Sequence, residues 1–476
     1  PPRSTLFPYP TLFRSGRRVR LYACGITAYD YAHLGNLRRY VGDDILVRSL
    51  RYQGFTVKHV QNVTDVGHLT SDADDGDDKL EKAAAKNNRQ ILEIVKKYED
   101  YYWHCCEQMN ITPPNMTPHA TAYIPQQLKI AIALEKKGYA YLIPGDGLYF
   151  DTSKMPHYSD LAGLDLNQQQ EGARVAKVAA KRNPSDFAVW KLEKPGENRQ
   201  MVWPSPWGER SFPGWHLECV AMSLELLGNQ FEIHTGGIDH IPVHHTNEIA
   251  QAEAYTGKHP FVRFWLHHNF MLIDGQKMSK SLGNIYRLDD VIEHGFSPMD
   301  LRYLFLTAHY RRELNFTWES LRAAATALER LVGMLYLFSQ QPEPSVAQET
   351  LLVKSAQYRE RFLQAINNDL DTPQALSLIH EITKANLESA TKLDLIYDLD
   401  DILGLNLRQA VTAYGKKQQQ LSATPAGEAA KLLSMRQEAK AAADFARADA
   451  LREKLLDLGY RVIDTSEGAK LQKISS

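Results

Sequence analysis

The chain has 476 residues, 43% of them hydrophobic, with four cysteines and a formal net charge of −2 at pH 7. This length and hydrophobic content predict two to four domains with large cores. The near-neutral charge excludes nucleic-acid binding through overall positive charge, so any such contact must use local basic patches. No apolar run of the sequence is long enough to span a membrane, and so few thiols cannot form a disulfide framework. We therefore expect a reduced, cytoplasmic protein with no membrane partner.

The first part of the chain predicts a parallel sheet. Residues 1–16 repeat the triplet T-L-F and match no element that follows, so we interpret them as extraneous sequence. An apolar strand at 19–24, a helix at 33–52 and a second strand at 57–64 then alternate, as in a sheet with crossover helices. The acidic run at 71–78 lacks the ligand spacing of a calcium loop, so a solvated loop is expected there.

The remaining elements follow in order. Helices are predicted to about residue 137, then a hairpin around 141–150 and an irregular, Pro- and Trp-rich connection at 177–214. The sheet resumes with a strand at 231–237, a helix at 244–255 and a strand-like stretch at 261–273, before a polar loop at 274–284. From residue 298 the pattern is helical nearly throughout. A Gln/Ser/Pro stretch at 416–425 is interpreted as a linker before a small, charged terminal unit.

Four residues have side chains of the types that bind zinc in proteins. His244 and Glu248 are spaced i and i+4, so on a helix both project from one face. Alone, this pair fits a hydrogen-bonding helix start better than a metal site. Cys24 ends the first strand and Cys219 lies in P-G-W-H-L-E-C, so a fold that joins distant strand ends would complete a four-ligand zinc shell. The cysteines at 105–106 lie in a helical run and are interpreted as small apolar helix residues.

Two short signatures follow predicted strands. H-L-G-N at 33–36 stands at a strand-to-helix turn, where free backbone N–H groups face phosphate and glycine permits close approach. K-M-S-K-S at 277–281 follows the last strand, and its two lysines can neutralise phosphate charge. Each motif alone is weak evidence. In this order and strand context, the two predict one nucleotide-binding fold.

Six further motifs accompany the signatures: Y-A-C-G-I-T-A-Y-D (22–30), R-N-P-S-D-F-A-V-W-K (182–191), S-P-W-G (205–208), P-G-W-H-L-E-C (213–219), H-H-T-N-E-I-A-Q (244–251) and D-F-A-R-A-D-A-L-R (444–452). From about residue 17 to its end, the chain resembles the cysteinyl branch of the class I aminoacyl-tRNA synthetases. The resemblance implies an α/β fold. It consists of a Rossmann-type parallel-sheet catalytic domain split by a connective insertion, then an all-α helix-bundle domain and a small C-terminal α+β unit.

The resemblance also implies domain boundaries. The first half of the Rossmann-type domain is expected at 17–110, the insertion at 111–208, and the second half with the lysine-containing signature at 209–297. A helical tRNA-binding domain would occupy 298–415. The linker at 416–425 would then lead to an anticodon-region unit at 426–476.

The resemblance implies that one zinc ion per chain selects the substrate thiolate, held by Cys24, Cys219, His244 and Glu248. The positions implied for the cysteine pocket, each of which also fits an ordinary buried residue, are Thr27, Thr64, Trp215, His234 and Asp239. The positions implied for ATP binding are His33, Gly35, Asn36, Lys277, Met278, Ser279, Lys280 and Ser281. Within that set, the groups that act on phosphate, with Mg²⁺ accompanying ATP, would be His33, Asn36, Lys277 and Lys280. The implied partners are ATP, L-cysteine and cysteine tRNA, and a monomer is expected.

Three departures from the family pattern stand out. Asn36 replaces a histidine. We expect this change to affect the rate of the reaction more than the kind of reaction. Residues 67–76 interrupt an acidic motif, and His240 and Val243 stand where apolar or proline residues are usual. Three other interpretations stay open. They are a cysteine:amino-sugar ligase, which would not need the long helical region, a non-catalytic tRNA-binding paralogue, and, less favoured, a zinc hydrolase.

Overall fold

The computed structural model describes residues 17–66, 90–163, 180–279, 282–341, 349–422, 425–465 and 468–474. The predictions for residues 1–16, for the acidic run at 71–78 and for the interruption at 67–76 lie outside the described residues. So do the roles predicted for Lys280 and Ser281.

A parallel sheet forms the centre of the first domain, as predicted. It begins with strand β1 (Arg18–Thr27), helix α1 (Leu34–Tyr52) and strand β2 (Thr56–Thr64). A kink in β1 shifts its register against β2 between Ala23 and Ile26. Only glycine fits at the kink, because a Cβ on Gly25 would lie 1.3 Å from the carbonyl oxygen of Asn62.

An antiparallel sheet is inserted between the two halves of the parallel sheet. The chain first forms helix α2 (Ile91–Gln108), which packs against β1 and β2 of the parallel sheet. Helix α3 (Ile124–Lys136) flanks the antiparallel sheet, whose five strands are β3 (Ala140–Ile143), β4 (Gly147–Phe150), β5 (Phe187–Leu192), β6 (Trp203–Ser205) and β7 (Gly208–Pro213). The strand order is β3-β4-β5-β7-β6, so the predicted hairpin is confirmed. The irregular connection predicted at 177–214 is wrong. Its strands are too short to show a hydrophobic periodicity in the sequence. They are joined by contacts such as the hydrogen bond that buried Trp190 donates from Nε1 to Ser211 Oγ at 2.7 Å.

The second half of the first domain completes the parallel sheet. Its elements are α4 (Trp215–Leu227), β8 (Phe231–Gly237), a π-helical turn (Ile241–His245), α5 (Thr246–Thr256), β9 (Val262–His268), β10 (Met271–Ile273) and β11 (Gln276–Lys277). The sheet order is β2-β1-β8-β9, with every pairing parallel. The carboxyl ends of all four strands therefore meet at one edge, where ligands bind in open α/β sheets. The stretch predicted at 261–273 is two strands in different sheets.

The rest of the chain is mostly helical, as predicted. The elements are α6 (Leu288–Glu293), α7 (Pro298–Leu306), β12 (Leu314–Phe316), α8 (Trp318–Ser339), α9 (Glu349–Asn367), α10 (Thr372–Lys384), α11 (Ser389–Leu403), α12 (Leu407–Ser422), α13 (Pro425–Ala441), α14 (Phe445–Asp457), β13 (Tyr460–Thr465) and β14 (Gly468–Lys473). The linker predicted at 416–425 is wrong as far as residue 422, because α12 continues through Lys and Gln residues of good helix propensity. Among the described residues, no helix combines the length and apolarity required to cross a membrane.

A buried ion pair joins the helical bundle to α1. Arg302 of α7 donates from Nη2 to Asp44 of α1 at 2.6 Å, and both side chains are fully buried. The same guanidinium donates to the carbonyl oxygens of Leu403 at 2.8 Å and Met109 at 2.9 Å. Three segments that are distant in sequence are therefore fixed against the helix that carries H-L-G-N.

Candidate active site

The four predicted metal ligands lie together at the carboxyl edge of the parallel sheet. Cys24 is in β1, Cys219 in α4, His244 in the π-helical turn and Glu248 in the first turn of α5. Their ligand atoms lie within 4.8 Å of one another, and all four residues are buried. We refer to these four residues as the metal cluster.

The carboxylate and imidazole of the metal cluster stabilise each other's charge. His244 Nε2 lies 2.9 Å from Glu248 Oε1, and His234 Nε2 lies 3.0 Å from Oε2. Burial raises the pKa of Glu248, but the charges of His234 and His244 outweigh it and lower the pKa to about 2. Burial likewise lowers the pKa of His244, whereas the charge of Glu248 raises it to about 10. An ionised carboxylate therefore lies ready for a cation.

The two thiols lack that stabilisation. Burial raises the pKa of Cys24, and a hydrogen bond with Cys24 together with burial raises the pKa of Cys219 well above its usual value. A divalent cation reverses this effect, because it stabilises thiolates directly. Glu248 Oε1 is also buried, and no donor among the described residues meets it with hydrogen-bond geometry. Two sulfurs, one nitrogen and one carboxylate oxygen are a ligand set that fits tetrahedral zinc.

A second ligand set shares two members with the metal cluster. Cys24, His234, His245 and Glu248 also place their ligand atoms within 4.8 Å of one another. His245 Nε2 lies 3.4 Å from Cys24 Sγ, and its Nδ1 lies 2.8 Å from His267 Nε2. His234, which was predicted for the cysteine pocket, and His245 therefore both contact members of the metal cluster directly.

The H-L-G-N signature forms the start of α1. The backbone N–H of Asn36 donates to His33 Nδ1 at 3.3 Å, and the N–H of His33 donates to Asn36 Oδ1 at 3.0 Å. This is a capping box in which asparagine takes the place that Glu or Gln usually fills. The carboxamide oxygen of Asn36 therefore fixes the helix start, and the capping box does not use its NH₂ group.

The two signatures meet across a cavity of about 260 Å³, which we term the nucleotide cavity. Lys277 and Met278 line it opposite His33 and Asn36, with Gly237 and Asp239 at the end of β8. The signatures touch at Gly35, where a Cβ would lie 2.4 Å from Met278 Cε. A methyl group at position 35 would therefore displace the end of the Met278 side chain from the start of α1.

Comparison with known proteins identifies the family. Residues 12–326 match the profile described as tRNA synthetases class I (C) catalytic domain. Cysteine–tRNA ligase 1 of Burkholderia lata is 43% identical over 98% of this chain and 94% of its own length. Cysteine–tRNA ligase of Treponema denticola is 39% identical over 96% of both chains. The chain belongs to the class I cysteine–tRNA ligase family.

The fold agrees with that of another class I synthetase. Methionyl-tRNA synthetase of Mycobacterium tuberculosis, solved with bound methionyl-adenylate, superposes with a TM-score of 0.56 at 15% identity. The match covers 86% of this chain and 95% of the other. The predicted Rossmann-type architecture followed by a helical region is therefore confirmed for this ligase.

The remaining residues predicted for the cysteine pocket lie at three places in the ligase. The ring of Trp215 lies 4.5 Å from that of His244, beside the metal cluster. Thr27 and Thr64 pair at the ends of adjacent strands, and Thr64 Oγ1 accepts from Asn62 Nδ2 at 3.0 Å. Asp239 lies exposed on the wall of the nucleotide cavity. Cys105 and Cys106 are buried on α2, as predicted, and belong to neither ligand set.

Proposed function

We propose that this ligase activates L-cysteine with ATP and transfers it to the 3′ end of cysteine tRNA. The observation that carries the proposal is the buried metal cluster beside a cavity walled by both phosphate signatures. The two sites are continuous, because His240 lines the nucleotide cavity and its ring lies 5.0 Å from that of His244. A substrate held by its side chain at the cluster would extend its carboxylate toward ATP.

The first step needs positioning and charge stabilisation more than a nucleophilic side chain. The substrate carboxylate oxygen bonds to the α-phosphorus, the bond to the bridging oxygen breaks, and pyrophosphate leaves with the electron pair. Asn36 and the α1 backbone would bind phosphate oxygens, and Lys277 would neutralise charge from the opposite wall. Lys280 is proposed to share that task, with Mg²⁺ accompanying ATP. Holding the reactants in line then lowers the barrier.

Selection of cysteine over serine would arise at the metal cluster. Zn²⁺ held there supplies a Lewis acid that favours a thiolate over the much less acidic hydroxyl of serine. Surrounding histidines hold the protein ligands in place. His234 contacts Glu248, and His216 Nδ1 lies 2.9 Å from His244 Nδ1. Such contacts fix the orientation of the ligating side chains.

The chain after residue 298 is proposed to bind tRNA, with the helical bundle along its inner face and the terminal α+β unit near the anticodon. This long helical region favours a tRNA acceptor over an amino sugar. We propose that the ligase acts as a cytoplasmic monomer.

Two assays test the proposal together. Cysteine-dependent exchange of pyrophosphate into ATP should be strong, the same assay with serine should give little exchange, and cysteine tRNA should be charged. Exchange with transfer only to an amino sugar would support the amino-sugar ligase instead. Absent exchange in zinc-replete protein that still binds tRNA would support a non-catalytic paralogue.

A further inference from the structure

One cationic side chain joins the metal cluster to the nucleotide cavity. Arg39 lies in α1, three residues after Asn36 and therefore on the same helix face. It lines the nucleotide cavity with His33, Asn36 and Lys277. At the other side, its Nη2 donates to the backbone carbonyl oxygen of Cys24, a member of the metal cluster. Arg39 therefore contacts the metal cluster and also lines the cavity proposed to hold the phosphates.

The guanidinium of Arg39 is held rigidly. Its side chain is 12% exposed, and Nε lies 3.5 Å from Asp43 Oδ2 one turn along α1. The carbon of the guanidinium lies 4.4 Å from the centre of the Tyr40 ring, at a cation–π distance. Asp43 is itself fixed, because His268 Nε2 lies 3.0 Å from its Oδ1. Burial lowers the pKa of Arg39, but Tyr40 and Asp43 outweigh it and raise the pKa, so the group stays charged.

Most donors of this guanidinium remain available. A guanidinium carries five N–H donors. Among the described residues, that of Arg39 makes one hydrogen bond, to Cys24. Its Nε is buried beside Asp43, so the donors left for a ligand are those of the two terminal nitrogens. A nearly buried cation with unused donors on a cavity wall is suited to a planar, doubly oxygenated anion such as a carboxylate or phosphate.

The signature also lacks a charge that Arg39 can supply. Asn36 is neutral, and its oxygen is occupied in capping α1. We propose that Arg39 is a catalytic residue which binds the substrate carboxylate and the α-phosphate as they react. This inference rests on the proposed function. It assigns to Arg39 the charge stabilisation that Asn36 cannot give.

Arg39→Gln and Arg39→Lys test the assignment in the full-length, zinc-loaded protein. Loss of one aligned donor at a developing charge lowers rate by about 100- to 1,000-fold. We therefore expect Arg39→Gln to lower kcat for cysteine-dependent exchange by about 100-fold while zinc stoichiometry stays at the wild-type value. Arg39→Lys keeps the charge without the planar fork and should recover part of that loss. Arg361→Gln, on the exposed face of α9, is the matched control and should exchange like the wild type.

The outcomes separate three cases. Wild-type kcat in Arg39→Gln would overturn the assignment and leave the proposed function intact. Zinc lost in parallel with exchange in both variants would reduce Arg39 to a positioning residue for Cys24, which also overturns it. A wild-type protein without cysteine-dependent exchange would overturn the proposed function and the assignment together.

Discussion

Replacing Arg302 by methionine tests how the helical bundle is attached to the catalytic domain. Methionine keeps much of the apolar volume but removes the charge and all the N–H donors. The carbonyl oxygens of Leu403 and Met109 lose their donor, and Asp44 loses its fully buried partner. We expect this substitution to be among the most destabilising in the ligase.

The magnitude follows from the burial of the pair. Removing one partner of a buried ion pair costs about 3–5 kcal/mol, because the other charge stays buried without full compensation. Asp44 keeps hydrogen bonds from Arg48 Nε at 2.8 Å and from the Thr112 N–H at 2.9 Å, so the lower end of this range applies. A loss of about 3 kcal/mol lowers the folding equilibrium constant by more than about 100-fold.

Urea unfolding followed by circular dichroism measures the effect. Arg361→Met is the matched control, because its bidentate pair with Glu381 is 46% exposed on both sides and should contribute about 0–1 kcal/mol. Arg302→Met should therefore unfold at a clearly lower urea concentration than Arg361→Met. Equal midpoints for the two variants would refute the idea that the buried pair holds the bundle to α1.

Three further predictions concern the site and the sheet. Cys219→Ser should lose tight zinc and preference for cysteine over serine, by elemental analysis and pyrophosphate exchange, whereas Cys105→Ser should keep both. Gly35→Ala places a methyl group 2.4 Å from Met278 Cε and should raise KM for ATP by about tenfold. Burial raises the pKa of Glu232, but hydrogen bonds from Arg20 outweigh it and lower the pKa. The contribution of the lowered pKa is complete above the unfolded carboxyl value of about 4.3 and is lost as the pH falls through the lower, folded value, so the stability difference from Glu232→Gln should vanish at acidic pH.

A specific result would contradict each of these predictions. Stoichiometric zinc in Cys219→Ser would remove that thiol from the metal cluster. Unchanged KM for ATP in Gly35→Ala would mean that contact between the signatures does not matter for nucleotide binding. A stability difference for Glu232→Gln that persists unchanged below the folded pKa would show that charge is not the cause.

The parallel sheet could be predicted because strand-like runs alternate with helical patterns along the sequence. The strand predicted at 231–237 coincides with β8, and the helix predicted at 33–52 with α1. The antiparallel insertion could not be predicted. Strand β6 has only three residues, and its pairing with β7 depends on contacts that leave no hydrophobic periodicity in the sequence. The linker prediction failed because composition alone does not separate a polar surface helix from a loop.

The candidate site, too, could be predicted only in part from the sequence. Residue type made the four members of the metal cluster candidate ligands, the family resemblance implied that they act together, and the structure brings them together. The involvement of His245 and Arg39 was not visible in the sequence. His245 reaches Cys24 from a π-helical turn, which no local pattern indicated, and Arg39 is one arginine among many until its carbonyl partner is known.

The antiparallel insertion separates the halves of the metal cluster along the chain, and this has a consequence during synthesis. Cys24 leaves the ribosome about 220 residues before Glu248, a delay of roughly 11–45 s at about 5–20 residues per second. The first strand must therefore keep a bare thiol through most of catalytic-domain translation. Early oxidation or capture of metal by that lone sulfur would damage the nascent ligase before its other ligands exist.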